Sequence, residues 1–145
     1  MRRGARRSEP RWLSRQVIDS IHIGQLKEHG GLPGLRDENA LESALTRPKK
    51  KWAYGKENDP AVLAAAYCFG LVTNHPYADG NKRIGFVALV TFLGINGHEF
   101  DASDAEVVTE IVKLASRQVS EQDLANWVRR HMQPAGKKGK PPLNR

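Results

Sequence analysis

Apolar residues recur along this chain with the spacing of helices, and no segment shows the sustained two-residue alternation of a sheet. The first predicted helix follows Ser14 over residues 15–29 and ends at two glycines. The second follows Asp37 over residues 38–47 and is expected to end at Pro48. With four further helices, the pattern predicts an all-α fold, a compact bundle of about six helices.

Two of the predicted helices are apolar on nearly every face and should lie at the centre of the bundle. Asp59 precedes the third helix, which begins with proline and covers about residues 60–72. The fourth covers about residues 80–96 and contains the run IGFVALVTFLGI. Ser103 and Ser120 begin the fifth and sixth helices, each with an acidic residue three positions later in the pattern of a capping box.

The segment between the second and third helices is too polar for the core. Residues 49–56 read KKKWAYGK. The aromatic residues Trp52 and Tyr54 within this polar setting suggest a short β-hairpin flap.

The positive charge of the chain lies mostly at its two ends. Residues 1–11 and 134–145 each carry a formal charge of +4, out of +7 for the whole protein. Residues 12–133 therefore carry −1, and we expect them to form one helical domain between two basic, flexible tails. Such tails are more often solvated ends than nucleic-acid-binding arms, so nucleic acid is an expected partner only through them.

The remaining composition is that of an ordinary globular protein, with 39% hydrophobic and 27% charged residues. Cys68 is the only cysteine and lies in an apolar stretch, so an internal disulfide is excluded and burial is expected. No apolar run is long enough for a membrane span, and no secretory signal follows the basic N-terminus. We therefore expect a cytoplasmic protein with no membrane partner.

The polar stretch TNHPYADGNKRIGF interrupts the two apolar helices and contains the candidate chemistry. Gly80 and the first N–H groups of the fourth helix, at Asn81, precede Lys82 and Arg83, an arrangement that favours an anion such as phosphate. Asp79 would be unfavourable beside phosphates unless a divalent cation joined them.

His75 completes the set within nine residues. An imidazole at the end of the third helix can take a proton from a hydroxyl that approaches the phosphorus. A base, a carboxylate for a metal ion and a phosphate-binding helix start are together the groups that phosphoryl or nucleotidyl transfer uses. Each residue also has a purely structural interpretation: His75 as a helix C-cap, Asp79 and Asn81 as turn and N-cap residues, and Gly80 as a residue with positive φ.

The stretch HPYADGNKRIG resembles the signature of the Fic/Doc superfamily, and its NKR is similar to the death-on-curing (Doc) toxin branch. The stretch HGGLPGLRDENALESALTRP is similar to the G-G-x-x-G-I-R-D-x-x-L-L-E-S-A-L-x-R-P stretch of Doc proteins. The resemblance covers about residues 14–130 and implies a small helical bundle with the signature between its two central helices.

The resemblance also implies roles for individual residues. His75 would be the general base, and Asp79 would bind Mg²⁺. Gly80 and Asn81 would form an anion hole for ATP, with Lys82 and Arg83 as phosphate ligands. Pro76 would shape the loop, and Tyr77, where the family usually has Phe, would anchor it in the core.

Two positions favour the reaction of the Doc branch over AMP transfer. Lys82 replaces the second glycine of the AMP-transferring signature, and Phe86 replaces its second arginine. The resemblance then implies that ATP presents its γ-phosphate to a threonine hydroxyl of elongation factor Tu, which blocks translation. AMP transfer by the same site is the alternative, and a catalytically idle bundle that binds nucleic acid through its tails is another.

Regulation is expected to come from a separate chain. The inhibitory [ST]-x-x-x-E-[GN] helix of some Fic proteins has no match, because Gly34 and Ala53 stand at the required upstream positions of the two Glu-Asn pairs. The resemblance implies a Phd-like antitoxin whose C-terminal segment folds as a helix into an apolar groove. Arg36 and Asp37 match family positions, and either a bracing role or contact with the partner fits them.

Other site motifs are absent. The chain contains no G-x-x-x-x-G-K-[ST] phosphate loop and no H-E-x-x-H zinc motif. His22 and His29 lie seven residues apart on the first helix, but histidines in this setting are more often surface or core-edge residues than zinc ligands.

Overall fold

The computed structural model describes residues 8–136 of the chain. Within this range the protein has six helices and two short strands, which confirms the all-α fold class. The elements in chain order are α1 (Arg15–His29), α2 (Glu38–Ala53), α3 (Pro60–Asn74), α4 (Asn81–Ile95), β1 (His98–Phe100), α5 (Asp104–Ala115), α6 (Glu121–His131) and β2 (Met132–Pro134).

Side chains at the helix starts explain most of these boundaries. Ser14, Asp37 and Asp59 each accept a hydrogen bond from a backbone N–H in the first turn of the helix that follows. Ser120 forms a complete capping box with Asp123. The predicted starts of these helices are therefore confirmed.

The α3 helix forms the centre of the fold. Its residues from Leu63 to Cys68 are almost fully buried, and α4, α2 and α6 pack around it. Four of its first seven residues are alanines, which let neighbouring helices approach closely. The α4 helix packs against α3, and the polar loop that joins the two helices lies at one end of this pair.

The β-hairpin flap predicted at residues 49–56 is wrong, because α2 continues through Pro48 to Ala53. Proline removes one helical hydrogen bond, but contacts with other elements compensate for this loss. Trp52 packs edge-on against Trp12 with ring centroids 6.3 Å apart. Arg47 and Lys51, one turn apart, both pair with Glu121 of α6.

The two strands lie elsewhere and were not predicted. They pair antiparallel, with Glu99 opposite Gln133, and join the end of α4 to the end of α6. Three residues a strand are too few to show a two-residue alternation in the sequence.

Hydrogen bonds hold residues at both edges of the predicted domain, which covers residues 12–133. The Asn96 side chain accepts from the Arg11 N–H and donates to the Arg11 carbonyl. The Ala135 N–H donates to the Gly97 carbonyl. Most of the two predicted basic tails, residues 1–7 and 137–145, lies outside the described residues.

Two glycines of α4 offer a matched test of the contact between α3 and α4. A Cβ at Gly85 would lie 2.6 Å from Val72 Cγ2 and 3.3 Å from the Cys68 carbonyl oxygen, whereas one at Gly94 would meet nothing within 4 Å. Val72 is fully buried and β-branched, so it cannot move aside easily. We expect Gly85→Ala to lower the free energy of unfolding by about 1–3 kcal/mol. Gly94→Ala should instead raise it by about 0.5–1 kcal/mol through helix propensity.

Urea unfolding monitored by circular dichroism measures both values. Equal stability of the two alanine variants would show that α3 and α4 are not in close contact at Gly85.

Candidate active site

The polar loop of residues 75–80 connects the end of α3 to the start of α4. His75 is the C-cap of α3 and adopts a left-handed conformation, with φ 51° and ψ 54°. Its side chain is exposed. The structural interpretation of His75 as a cap is therefore correct, and it leaves the imidazole open to a ligand.

Asn81 closes the loop with its side-chain amide. Its Oδ1 accepts from the Tyr77 N–H at 3.0 Å, and its Nδ2 donates to the Tyr77 carbonyl at 3.0 Å. Nδ2 also lies 3.5 Å from His75 Nδ1. Because the buried amide is bound within the loop, Asn81 can contribute to an anion hole only through its backbone N–H.

Gly80 is the N-cap of α4, with φ 80° and ψ 14° and no side chain to cap the helix. The first N–H groups of α4, at Asn81, Lys82 and Arg83, have no carbonyl one turn earlier within the helix. They form the positive end of the helix dipole, and two cationic side chains lie beside them. This combination is suited to the phosphates of a nucleotide.

The Asp79 carboxylate is oriented by two backbone groups. Oδ2 accepts from the Leu32 N–H at 3.1 Å and Oδ1 from the Gly80 N–H at 2.8 Å. These bonds, with a smaller effect of the Arg83 charge, lower the pKa of Asp79 below its usual value. Gly31 passes so close that a Cβ there would lie 2.8 Å from Oδ2. Asp79 is therefore an exposed, ionised carboxylate at neutral pH.

Lys82 and Arg83 differ in their freedom. Lys82 is exposed, whereas Arg83 is half-buried and donates from Nη2 to the Gly30 carbonyl at 3.0 Å. Arg83 thus also ties the start of α4 to the end of α1.

The donor set fits a magnesium nucleotide. Between residues 8 and 136 no three His, Cys, Asp or Glu side chains cluster as a metal site. Mg²⁺ commonly binds one protein carboxylate together with substrate phosphates and water, and Asp79 beside the phosphate-binding helix start offers that arrangement.

His22 was not predicted as part of the site, yet it supports the loop directly. It is buried, with 3% exposure, and its ring stacks on Tyr77 with centroids 3.8 Å apart. Nε2 lies 2.7 Å from the Asp79 carbonyl oxygen, so Nε2 carries the proton and donates. The signal in the sequence for this burial was that His22 lies four residues after Ile18, which places both on the same face of α1.

Tyr77 anchors the loop, and its hydroxyl has a partner. The ring is buried, and the hydroxyl donates to Asp19 Oδ1 at 2.7 Å. Asp19 in turn pairs with Arg15, which also binds Glu38 at the start of α2. Burial and the Asp19 carboxylate raise the pKa of Tyr77, so it stays a neutral donor. The loop is thus linked to α1 and α2.

The side chains of Arg36 and Asp37 both bind backbone groups within the chain. Arg36 donates to carbonyls of residues 74 and 75, and the Asp37 side chain caps α2 at the Ala40 N–H. The bracing role left open for these two residues is the one that the structure shows.

An apolar groove of about 720 Å³ begins at Lys82 and Arg83 and extends between α4 and α5. Phe86, which takes the place of the second arginine of the AMP-transferring signature, lines it and packs edge-on against Phe100 at 5.7 Å. Val108 and Val112 of α5 also line it and are 62% and 48% exposed. The groove is therefore an open apolar surface with a cationic end.

Residues 12–93 match the model of the Fic/DOC family, and the chain belongs to this family. It is similar to a protein of Escherichia phage P1 named "Protein kinase doc", with 28% identity over 121 residues that cover 83% of this chain and 94% of the relative. It is also similar to "Toxin Doc" of Mycolicibacterium smegmatis, with 40% identity over 83 residues, 53% of this chain and 63% of the relative. The resemblance to the Doc branch is thereby confirmed.

None of the helices in the described part of the chain combines the length and apolarity needed to cross a bilayer.

The contribution of His22 can be tested by a substitution that keeps its ring. In His22→Phe the stack on Tyr77 can persist, but the Asp79 carbonyl loses its donor. We expect a loss of roughly 1–3 kcal/mol in the free energy of unfolding, measured with urea. His29→Phe is the control, because that histidine is exposed on the same helix and its replacement should change stability by less than about 0.5 kcal/mol. Equal losses in both variants would contradict a specific role of the His22 hydrogen bond.

Proposed function

We propose that this protein is a Doc-like toxin that transfers the γ-phosphate of ATP to a hydroxyl of a protein target. The observation that carries the proposal is the meeting of three groups at one loop: the exposed imidazole of His75, the ionised carboxylate of Asp79, and the helix start that bears Lys82 and Arg83. Membership of the Fic/DOC family and similarity to a relative named a protein kinase support the same reaction.

In the proposed reaction the triphosphate lies at the start of α4, where the backbone N–H groups from Asn81 onward and the two cations balance its charge. Asp79 would hold Mg²⁺, which would neutralise part of the phosphate charge. His75 in its neutral form takes the proton of the acceptor hydroxyl. The acceptor oxygen bonds to the γ-phosphorus, the bond from this phosphorus to the bridging oxygen of the β-phosphate breaks, and ADP leaves.

The side chains at positions 82 and 86 favour γ-phosphate transfer over AMP transfer. A lysine at position 82 would fill space that a glycine would leave open to the β and γ phosphates, and it adds a cation. Phe86 offers no guanidinium, and its ring packs against Phe100 in the groove. AMP transfer by the same base and the same phosphate-binding helix start is the alternative reaction.

By resemblance the target is elongation factor Tu, and its modification would stop translation in the cytoplasm. This target is part of the proposal. Its support is the similarity to proteins named Doc toxin and Doc kinase.

Two labels of ATP distinguish the reactions. With Mg²⁺ and either purified elongation factor Tu or a bacterial extract as acceptor, we expect the γ-label on a protein and no α-label. His75→Ala should abolish the transfer, because the base is lost, while Lys50→Ala on the exposed surface of α2 should retain it. Transfer of the α-label would indicate AMP transfer. If neither label is transferred and toxicity survives His75→Ala, the protein is an idle binding module instead.

We further propose that the groove between α4 and α5 binds the C-terminal segment of a Phd-like antitoxin as an amphipathic helix. The exposed valines of α5 are the kind of surface that such a helix covers. Lys82 and Arg83 at the end of the groove would attract an acidic residue of the segment, which would then compete with phosphate.

Adjacent residues of α5 give a matched test of this surface. Val108 lies in the groove, whereas Thr109 is exposed outside it. Val108→Glu should prevent neutralisation by the proposed antitoxin, because a charge would be buried against an apolar helix. Thr109→Glu should be neutralised like the wild type. Growth of cells that express toxin and partner together measures this, and equal rescue of both variants would exclude the groove as the binding site.

A further inference from the structure

The end of α3 lacks an ordinary cap, although the candidate base lies there. Helices that end in a left-handed residue usually satisfy their last carbonyls with N–H groups of the residues that follow. Here the residue after His75 is Pro76, which has no N–H. His75 is also not glycine, so its left-handed conformation is strained and must be held by its surroundings.

The Arg36 side chain supplies the missing donors. Its Nε donates to the His75 carbonyl at 2.6 Å, and its Nη2 donates to the Asn74 carbonyl at 3.0 Å. The planar guanidinium thus spans two successive peptide groups at the end of the helix. Its charge also lies at the negative end of the α3 dipole, where a cation is favourable.

The backbone of the same residue holds the next peptide. The N–H groups of Arg36 and Asp37 both donate to the Pro76 carbonyl, at 2.7 and 3.0 Å. The Asp37 side chain caps the start of α2, so the two residues that bind the Pro76 carbonyl are themselves held at a helix start. Carbonyls 74, 75 and 76 therefore all bind the segment at residues 36–37.

We propose that Arg36 is a positioning residue that fixes the orientation of His75 for proton transfer. The inference rests on the proposed function, in which His75 is the base. The Arg36 side chain is exposed, so its replacement leaves no buried charge, and its effect can be separated from folding. The residues that lead into the start of α4 have other partners, since His22 binds the Asp79 carbonyl and the Asn81 side chain binds the Tyr77 N–H. ATP binding at that helix start should therefore not depend on Arg36.

The test compares Arg36→Met, which removes both donors, with Arg36→Lys, which keeps the charge but not the planar pair of donors. With γ-labelled ATP and elongation factor Tu, we expect kcat to fall about tenfold to a hundredfold in Arg36→Met, since small misplacements of a catalytic group have effects of this size. The Kd for ATP should change little, and the melting temperature should fall by only about a few degrees, because the lost donors lie at an exposed position and the protein stays folded at the assay temperature. Arg36→Lys should give an intermediate kcat, and Arg130→Met on the exposed surface of α6 should match the wild type.

Three results would overturn the inference: an unchanged kcat in Arg36→Met, a parallel loss of ATP binding and activity, or a melting temperature lowered enough to explain the lost activity. If Arg36→Met does not fold, full kcat in a folded Arg36→Lys would also overturn it. A wild-type protein that transfers neither label would refute the proposed function itself. If the wild-type protein transfers AMP instead, the same Arg36 variants are compared with α-labelled ATP, because the same base serves both reactions.

Discussion

The loop between α3 and α4 depends on two buried polar side chains, and the rest of the site depends on that loop. His22 and Asn81 are the buried polar residues of the described chain, and both bind backbone groups of residues 77–79. Burying such groups is costly unless they are hydrogen-bonded, so each bond within the loop also satisfies a group in the core. Six residues without regular structure can therefore hold a defined shape between two helices that pack tightly.

The segment before α2 clamps the same loop from the other side. Gly34 accepts from the Ala78 N–H, Leu35 pairs with Tyr77 as an isolated bridge, and Asp79 accepts from the Leu32 N–H. The second region of resemblance to Doc proteins, HGGLPGLRD, is thus the structural partner of the first. Two stretches separated by about 40 residues in the chain form one site because the peptide groups of one bind those of the other.

The two cations that the proposed function assigns to phosphate binding also lie at the end of the apolar groove. Lys82 and Arg83 are fixed by the start of α4, while the groove continues along its next turns. In the proposed function, a partner helix in the groove and a nucleotide at the start of α4 would therefore compete for the same two positive charges. Regulation would then need no movement of the bundle.

The sequence alone determined most helices and the chemical inventory of the site. Periodicity and caps are local properties, and Ser14, Asp37 and Asp59 act on the turn that follows them. The motif from His75 to Arg83 is also contiguous, so the loop, helix start and charges could be read together.

Tertiary structure decided what depends on distant contacts. Helix α2 passes Pro48 because Trp52 packs against Trp12, which precedes α1, and Lys51 pairs with Glu121 of α6. His22 supports Asp79 from 57 residues away, and Arg36 binds a helix end 39 residues further along the chain. No local pattern marks such residues, because a hydrogen bond between distant peptides exists only after the helices have packed.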